Sequence, residues 1–564
     1  MSEVHLTINS QSVTASRGQT ILAAARTAGI DIPTLCYHPA LSSHGACRMC
    51  LVEVKGMRGL QTACTCPVAE GIQVETNTEA VIEGRRFALE LLFSERNHYC
   101  MYCPVSGDCE LQELAYRYGL DHWRYPRTYH KMAVDASNHH FVMDPNRCIL
   151  CTRCVRACAE IAANHTLGLR ERGSRSMIMA DVSVPLGESS CVNCGACLQV
   201  CPTGALIDAR GVYGGHEEDL THTLTTCIQC SVGCALDVVT RGNRLLRVEG
   251  VWDSDPSGGL LCVDGCFKPL YDERQRITTP QIRRNGRLTP ADWDEALDIA
   301  AKKLKNGSAL GLAACATTNE ALSTFARLFA RNKAGRMEPA APQLGYGRSA
   351  QLQDILAADL IVVAGAHPLS HQRVVGYFIK RAVDQGAHLA LLDLTGSDLE
   401  DYATLLVNSE DAGLLIEKAA HVERAVVVYG VDLTPGAIKA LKPLVDQSLF
   451  LALDAARNGK GAEAVGLEPL DVEEAEVLYF LLGEQRENGA MVGRLNGAFT
   501  IVQACYYSPL IEHADVVLPT PLWAERSGHF TNLEGKVSSL NAALPMPENV
   551  REEAEVLDTL IAML

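Results

Sequence analysis

The chain has 564 residues, of which 47% are hydrophobic and 21% are charged, a balance typical of a folded protein with several domains. The 67 acidic residues outnumber the 50 basic ones, and the net charge of −17 argues against nucleic acid or anionic lipid as the main partner. No apolar run is long enough to span a bilayer, and the first residues lack the pattern of an export signal. We therefore expect a cytoplasmic protein with no direct membrane insertion.

Cysteine is the most informative residue type. The chain has 23 cysteines, and all but two of them lie within the first 266 residues. In a cytosolic chain, cysteines at short regular spacings are more often metal ligands than disulfide partners. The two halves of the chain are therefore expected to have different roles.

The first segment, residues 1–78, begins with alternating apolar and polar residues that predict a β-hairpin, followed by a short helix that ends at Gly29. Four cysteines follow with the spacing C-x10-C-x2-C-x13-C, which suits a [2Fe–2S] cluster. A zinc site, the alternative, usually has two tight pairs. Cys66 is interpreted as a bystander. The predicted ligands are Cys36, Cys47, Cys50 and Cys64.

The second segment, residues 79–135, has three cysteines close together, one ligand short of what a tetrahedral site or a cubane cluster needs. His98 lies beside them and can supply a fourth ligand through a neutral imidazole nitrogen. A ligand from elsewhere, such as Cys66 or His122, is the alternative, but a local ligand costs less loop-closure entropy. The predicted [4Fe–4S] set is His98, Cys100, Cys103 and Cys109.

The third segment, residues 136–215, carries two runs of the form C-x2-C-x2-C-x3-C, the most specific signal in the sequence. This is the pattern of two-cluster ferredoxins, in which the fourth cysteine of each run ligates the other cluster. Ala159 replaces the usual proline after the first run, which removes no ligand. The predicted sets for two [4Fe–4S] clusters are Cys148, Cys151, Cys154 and Cys201, and Cys191, Cys194, Cys197 and Cys158.

The fourth segment, residues 216–275, contains a further array with the spacing C-x2-C-x3-C-x27-C. Taken alone, this spacing is compatible with a [4Fe–4S] cluster or with zinc. Its position after the other cluster motifs favours iron. The predicted ligands are Cys227, Cys230, Cys234 and Cys262.

In this order, the motifs resemble those of the large iron–sulfur subunit of NADH:quinone oxidoreductase (respiratory complex I) and of related subunits in NAD-linked hydrogenases and formate dehydrogenases. The resemblance covers nearly the whole chain. It implies a multidomain α+β and α/β fold with a β-grasp [2Fe–2S] ferredoxin domain, a helical histidine–cysteine cluster domain, a two-cluster [4Fe–4S] ferredoxin domain and a further [4Fe–4S] domain. Residues 276–564 would form a doubly wound α/β domain like that of molybdopterin oxidoreductases.

The resemblance also implies a function. The chain is expected to be the electron-transfer subunit of an oxidoreductase, with one [2Fe–2S] and four [4Fe–4S] clusters and no catalytic or substrate-binding residues of its own. The implied partners are a flavoprotein subunit that binds FMN and NADH, a small thioredoxin-like [2Fe–2S] subunit, and a further redox subunit such as a hydrogenase, a formate dehydrogenase or a quinone-reducing module.

One ligand departs from the family pattern. In the family, three residues separate the histidine ligand from the first cysteine of its set, as H-x3-C. This chain has Arg96 there, a permanent cation that cannot donate a lone pair. The assignment of His98 therefore rests on this sequence and not on the family.

From Arg276 onward, apolar runs such as LIVVAGA, HLALLDL, RAVVVYG and ADVVLP predict buried parallel strands, and stretches such as DWDEALDIAAKKL predict helices. This mixture indicates a doubly wound α/β domain. No G-x-G-x-x-G motif follows a strand, so no NAD or flavin site is predicted. Asp393, at a strand end, is either a nucleotide contact or, more simply, a solvated loop residue.

Three features predict that this domain lacks a molybdenum cofactor. Active family members carry a metal ligand in the region that here reads RMEPAAPQLGYG and has no cysteine, and Cys315 before it is interpreted as a small buried residue. Asp264 stands where active members often have a lysine, with Cys266 in place of a basic residue. The sequence also ends where they continue into another pterin-binding domain.

Two enzyme classes compete with the electron-transfer role. A catalytic molybdopterin-dependent formate dehydrogenase subunit is the alternative function, and it would require bound molybdopterin. An [FeFe] hydrogenase is rejected because it needs further cysteine motifs, and only Cys315 and Cys505 follow Cys266.

Overall fold

The structure is a computed structural model that describes residues 3–126, 130–270, 272–485 and 489–564. The chain divides into two compact units, residues 1–220 and 221–564. Across the described ranges, no helix combines the length and the apolar character that a membrane crossing requires.

The first unit begins with a five-stranded mixed sheet and one short helix. Its elements are β1 (Glu3–Ile8), β2 (Gln11–Ser16), α1 (Ile21–Thr27), β3 (Leu51–Val54), β4 (Gln61–Thr62) and β5 (Gln73–Glu75). The strand order is β2-β1-β5-β3-β4, with β1 antiparallel to β2 and parallel to β5. The predicted hairpin and helix are therefore confirmed. The helix begins after Thr20, whose hydroxyl accepts a hydrogen bond from the amide of Ala23.

The rest of the first unit consists of two helices and several short elements. These are α2 (Glu79–Glu95), α3 (Glu110–Arg117), β6 (Phe141–Met143), α4 (Arg153–Arg156), β7 (Leu167–Arg170), β8 (Met177–Ala180), α5 (Ala196–Gln199) and β9 (Leu206–Asp208). The strands form two antiparallel pairs, β6 with β9 and β7 with β8. Apolar side chains of α2 and α3, such as Leu89 and Leu111, form a core that also contains several cysteines.

The second unit begins with a three-stranded antiparallel sheet and a short helix. Its first elements are β10 (Thr221–Thr226), β11 (Ala235–Arg241), β12 (Arg244–Gly250) and α6 (Val263–Cys266). The α/β region follows with β13 (Gln281–Arg284), β14 (Arg287–Pro290), α7 (Trp293–Asn306), β15 (Ala309–Ala313), α8 (Asn319–Leu328), β16 (Lys333–Arg336), β17 (Arg348–Ser349), α9 (Leu352–Leu356), β18 (Leu360–Ala364), α10 (Arg373–Asp384), β19 (His388–Leu392), β20 (Leu405–Val407), α11 (Gly413–Ala420), β21 (Ala425–Gly430), α12 (Pro435–Leu441), β22 (Ser448–Leu453), α13 (Gly459–Ala464), β23 (Val477–Gly483), β24 (Phe499–Ala504), β25 (Val516–Pro519), β26 (Gly528–Thr531), β27 (Val537–Leu540) and α14 (Glu553–Met563).

Apart from β26 and β27, which form an antiparallel pair of their own, the strands of the α/β region belong to two large sheets. One has seven strands in the order β14-β13-β25-β24-β23-β15-β16, and the other has six parallel strands in the order β17-β22-β21-β18-β19-β20. The predicted buried parallel strands and the helices among them are confirmed. The division into two sheets is not visible in the sequence, because strands buried on both faces read as similar apolar runs whichever sheet they join.

Candidate metal centres

The four predicted ligands of the first segment lie together beside the five-stranded sheet, and all four are buried. The amide of Cys36 donates to Sγ of Cys47 at 3.3 Å, and the Sγ atoms of Cys50 and Cys64 are 3.3 Å apart. Hydrogen bonds from the thiols of Cys47 and Cys64 lower the pKa of Cys36. The same hydrogen bonds raise the pKa of Cys47 and Cys64, so these thiols lie close enough to share protons.

A small cavity in the second segment has one histidine and three cysteines in its wall: His98, Cys100, Cys103 and Cys109. Nε2 of His98 is buried and has no hydrogen-bond partner among the described residues. Burial, followed by the positive charges of Arg147 and Arg96, lowers the pKa of His98 to about 4, so the imidazole is neutral. A neutral imidazole nitrogen without a partner, beside three thiols, fits a fourth ligand.

The other candidates for this fourth ligand lie elsewhere. Of the residues that the structure describes, neither Cys66 nor His122 belongs to the cavity wall. His122 is exposed, and its Nδ1 is 2.6 Å from Oδ1 of Asp121, while Cys66 packs against the core of the five-stranded sheet. Arg96, at the position of the family histidine, is buried and donates to backbone carbonyls within residues 174–176.

Gly204 allows the wall of this cavity to close. A Cβ atom at this position would lie 2.7 Å from Cγ2 of Val105 and 3.2 Å from Sγ of Cys103. Two residues earlier, the carbonyl oxygen of Pro202 is 3.6 Å from Sγ of Cys109. The segment after the second ferredoxin run therefore contacts two of the three thiols. This role of Gly204 is not visible in the sequence, because no local pattern indicates which other segment the glycine approaches.

A second cavity contains cysteines from both ferredoxin runs. Its wall includes the first three cysteines of the first run and the last cysteine of the second, with apolar neighbours such as Ile149. Burial raises the pKa of Cys148 to about 11 and that of Cys151 to about 12, and the nearby Cys201 adds to both increases. The structure thus brings together the predicted set that combines both runs, Cys148, Cys151, Cys154 and Cys201.

The remaining four cysteines of the two runs also lie close together. They are Cys158, Cys191, Cys194 and Cys197. Burial raises the pKa of each of the last three thiols, and Cys158 contributes to each increase. Cys154 of the other ferredoxin set also acts on Cys197, so the two sets are neighbours.

The two ferredoxin runs share a backbone shape. Leu150 and Asn193, each two residues after the first cysteine of its run, have φ of 52° and 53°, and their amides donate to Sγ of that cysteine at 3.3 and 3.5 Å. Two residues later, Thr152 and Gly195 have φ of 57° and 73°. Non-glycine residues rarely adopt this conformation, so its repetition indicates a functional constraint. Amide-to-sulfur hydrogen bonds also help to set the potential of a bound cluster.

The fifth set lies in the second unit and consists of Cys227, Cys230, Cys234 and Cys262. Burial raises the pKa of all four thiols, and Cys262 adds to the increase for the other three. A Cβ atom on Gly265 would lie 3.2 Å from Sγ of Cys227. Cys266 lies outside the set, and its buried thiol donates to the carbonyl oxygen of Val248 at 3.4 Å.

A single metal ion and a cluster require different spacings of their ligands. Within the described ranges, no group of three or more cysteine, histidine, aspartate or glutamate side chains is placed to hold a single metal ion. Neighbouring sulfurs on one zinc ion would be about 3.8 Å apart, because zinc–sulfur bonds are about 2.3 Å long. The ligands of a [4Fe–4S] cluster bind four different iron atoms and therefore surround a larger space.

The residues singled out in the α/β region have partners within the fold. Cys315 is fully buried, as expected, and its amide donates to the carboxylate of Glu338 at 3.2 Å. Asp393 accepts hydrogen bonds from the amide of Ser409 at 2.7 Å and from the hydroxyl of Thr434 at 3.0 Å. Asp393 thus lies directly after β19 and is partly exposed, as a loop residue would be, and its two carboxylate oxygens connect neighbouring loops.

Two cavities of about 430 and 300 Å³ also lie in the second unit. Among the described residues that form their walls, Cys230 is the only thiol, and it belongs to the fifth set. Asp264, at the position of the family lysine, borders the smaller cavity and is ion-paired with Lys268 and Arg373. The described residues around these cavities thus supply no free thiol for a further metal.

Five family models match the chain, in the order of the predicted segments. They describe a 2Fe-2S iron-sulfur cluster binding domain (residues 1–79), an NADH-ubiquinone oxidoreductase-G iron-sulfur binding region (85–124), an NADH-quinone oxidoreductase subunit 3 ferredoxin-like domain (140–207), a molybdopterin oxidoreductase Fe4S4 domain (220–268) and a molybdopterin oxidoreductase domain (276–423 and 448–563). The presence of [2Fe–2S] and [4Fe–4S] domains is thereby confirmed.

Three similar proteins are subunits of NADH-quinone or NADH-ubiquinone oxidoreductases. The chain is 33% identical over 431 residues to an NADH-quinone oxidoreductase subunit of Rhizobium meliloti, a match that covers 73% of this chain and 50% of that protein. It is 27% identical over 638 residues to NADH-quinone oxidoreductase subunit 3 of Thermus thermophilus, with 96% and 80% covered. It is 28% identical over 605 residues to the mitochondrial NADH-ubiquinone oxidoreductase 78 kDa subunit of Candida albicans, with 99% and 82% covered. The match thus spans half the length of the first relative and about four fifths of the other two.

Proposed function

This chain belongs with the large iron–sulfur subunits of NADH-quinone oxidoreductase, and from that premise we propose that it relays electrons between a flavoprotein that oxidises NADH and a further redox subunit. The chain is an electron-transfer subunit of an oxidoreductase, and its ligands hold redox groups rather than a substrate. When bound, iron–sulfur clusters supply one-electron transfer at potentials set by ligands, hydrogen bonds and exposure.

The observation that carries this proposal is the grouping of three predicted sites around one apolar core in the first unit. Cys36 and Cys47 of the [2Fe–2S] set, Cys100 and Cys109 of the histidine–cysteine set, and Cys151 of the ferredoxin pair all contact the same hydrophobic cluster. Electron transfer slows steeply with distance, so sites that share a core can exchange electrons without a large movement of the chain. The apolar surroundings also keep water away from the ligands.

We propose that the chain holds one [2Fe–2S] and four [4Fe–4S] clusters, which together contain about 18 iron atoms. The five ligand sets are those predicted from the sequence, with His98 as the single nitrogen ligand. The orphaned Nε2 of His98 and the cavity wall formed by both ferredoxin runs support these sets.

We propose that the α/β region is a scaffold without a molybdenum cofactor. In support, Asp264 stands at the position of the family lysine and is held in ion pairs, and the thiol at the cavity wall belongs to the fifth set. A catalytic formate dehydrogenase role would require bound molybdopterin, and no specific observation favours that role.

The partners are proposed from the family. They are a flavoprotein subunit that binds FMN and NADH, a small thioredoxin-like [2Fe–2S] subunit, and a further redox subunit such as a hydrogenase, a formate dehydrogenase or a quinone-reducing module. We place the chain in the cytoplasm, where any link to a membrane runs through these partners.

The proposal is tested by the route of electrons from NADH. The purified flavin-free chain, loaded anaerobically with iron and sulfide, should show EPR signals of reduced clusters with dithionite but should not oxidise NADH with an artificial dye. The complex that contains its flavoprotein should oxidise NADH and reduce the same EPR-active clusters. NADH oxidation by the flavin-free chain would contradict the assignment of that reaction to the flavoprotein. The absence of any EPR signal with dithionite would contradict the proposal that this chain transfers electrons through clusters.

A further inference from the structure

We propose that Arg156 is a positioning residue that connects the [2Fe–2S] site to the neighbouring ferredoxin site and speeds electron transfer between them. This inference rests on the proposed function, because it assigns a role within that relay. Arg156 is the last residue of α4 and lies between the third and fourth cysteines of the first ferredoxin run. Its Nη2 atom donates to the carbonyl oxygen of Cys36 at 2.6 Å and to that of Cys151 at 3.2 Å.

One nitrogen atom of Arg156 therefore contacts the main chain of two predicted ligands from different sites. Cys36 belongs to the [2Fe–2S] set and Cys151 to the first ferredoxin set. The route from one thiol to the other consists of two short stretches of covalent bonds joined by two hydrogen bonds. Electrons tunnel more readily along such a route than across van der Waals gaps of the same length, so Arg156 should raise the electronic coupling between the sites.

The other side of the guanidinium fixes the same loop. Nη1 of Arg156 donates to the carbonyl oxygen of Ser42. Four residues further along, the carboxylate of Glu160 accepts hydrogen bonds from the amide of Ser42 at 2.8 Å and from its hydroxyl at 2.5 Å. Residues 36–42 are thus held at both ends by two residues that follow Cys151 in the chain. These contacts, and not only the long connection between the two segments, set the separation of the two sites.

Arg153 provides a contrast within the same helical turn. Its guanidinium is buried and donates to both carboxylate oxygens of Glu110, at 2.5 and 3.0 Å, and to the carbonyl oxygen of Val200 at 3.4 Å. The carboxylate of Glu110 is exposed, so this pair joins α4 to the start of α3 without contacting a predicted ligand. Arg156 instead bonds to carbonyl oxygens of the predicted ligands themselves, which singles it out for a role in coupling.

The test compares three variants in the complex that contains the flavoprotein. Arg156→Lys keeps the positive charge, but its side chain is one bond shorter and has no second terminal nitrogen to contact Ser42, so the bridge that Nη2 makes between the two carbonyl oxygens is lost. Arg156→Gln removes the charge as well. Arg175→Gln removes an exposed arginine of the same unit and is the matched control. The readouts are iron content, EPR spectra, midpoint potentials, and the rate at which an electron from a light-driven reductant equilibrates between the two sites.

We expect the wild type and Arg175→Gln to equilibrate at the same rate. Arg156→Lys should keep its iron and its midpoint potentials but equilibrate at least tenfold more slowly. Arg156→Gln should be equally slow and should also have lower potentials at both sites, because a nearby positive charge is gone. An unchanged rate in an Arg156→Lys protein with full iron content would overturn the proposal.

If the Arg156 variants lose iron, a fourth variant still tests the role of Arg156. Glu160→Gln weakens only the contacts to Ser42 and leaves both bonds of Nη2 in place, so it should keep its iron and equilibrate at the wild-type rate. A tenfold slower rate in that variant would overturn the proposal, because the route through Arg156 would then not set the rate. A wild-type complex in which neither site can be reduced would contradict the proposed function instead, so the two failures are distinguishable.

Discussion

Replacing Gly204 with alanine should damage the cavity that contains His98 and its three cysteines. The new Cβ would lie 2.7 Å from Cγ2 of Val105 and 3.2 Å from Sγ of Cys103. Val105 is β-branched and therefore stiff at χ1, so its Cγ2 atom moves away only at a cost in free energy, and Cys103 cannot move while its thiolate holds a cluster. Overpacking of this kind costs about 1–3 kcal/mol. For a unit of this size, each kcal/mol lowers Tm by about 2–4 °C.

The assay is anaerobic calorimetry of the iron-loaded protein, together with iron content and the EPR signals of the clusters. Gly168→Ala is the matched control, because a Cβ there meets no heavy atom of the described residues within 4 Å. Val105→Ala removes the closer contact, so Gly204→Ala should lower Tm less in a Val105→Ala background than in the wild type. Its effect on Cys103 should still be visible by EPR. The reasoning is refuted if Gly204→Ala matches Gly168→Ala in Tm, iron content and EPR signals.

Further outcomes follow from the ligand sets and from one buried ion pair. His98→Cys should keep a cluster that is harder to reduce, since a thiolate adds a negative charge, and His98→Ala should lose the cluster or recruit another ligand; unchanged iron and EPR signals in the alanine variant would exclude His98 as a ligand. Iron per chain should reach about 18 atoms, and a plateau near about 14 would mean one empty [4Fe–4S] site. Elemental analysis should find no stoichiometric molybdenum or tungsten, and one atom of either per chain would revive the catalytic alternative. Glu553→Ala should lower the free energy of unfolding by about 3–5 kcal/mol, because it leaves the buried guanidinium of Arg526 without its carboxylate. Glu555→Ala, at an exposed position of the same helix, should change it by less than about 0.5 kcal/mol, and equal effects of the two variants would contradict this account.

The cysteine sets could be predicted from the sequence because the spacing of most of their members is local. In a run such as C-x2-C-x2-C-x3-C, one short segment supplies three ligands of one cluster. The fourth cysteine ligates the other cluster, which is also part of the known pattern. The contacts of Arg156 could not be predicted in this way, since Cys36 lies 120 residues earlier and no spacing relates the two. The placement of Arg156 inside the motif CTRCVRAC was the only available hint.

The fold shows the same division between local and long-range information. The hairpin formed by β1 and β2 and the helix capped by Thr20 follow from alternation and capping within short windows. The membership of β18 and β23 in different sheets depends on pairing between strands far apart in the chain. Both strands are apolar along their whole length, so periodicity alone could not separate them.

The crossing of the two ferredoxin runs has a consequence for how the protein matures during synthesis. Cys148, Cys151 and Cys154 leave the ribosome long before Cys201, so the first proposed site lacks a ligand until the second run has emerged. The second proposed site needs Cys158, which must stay reduced during the same interval. The second ligand set is complete once Cys197 has emerged, and the first only once Cys201 has, so a nascent chain released before Cys197 would hold neither complete set.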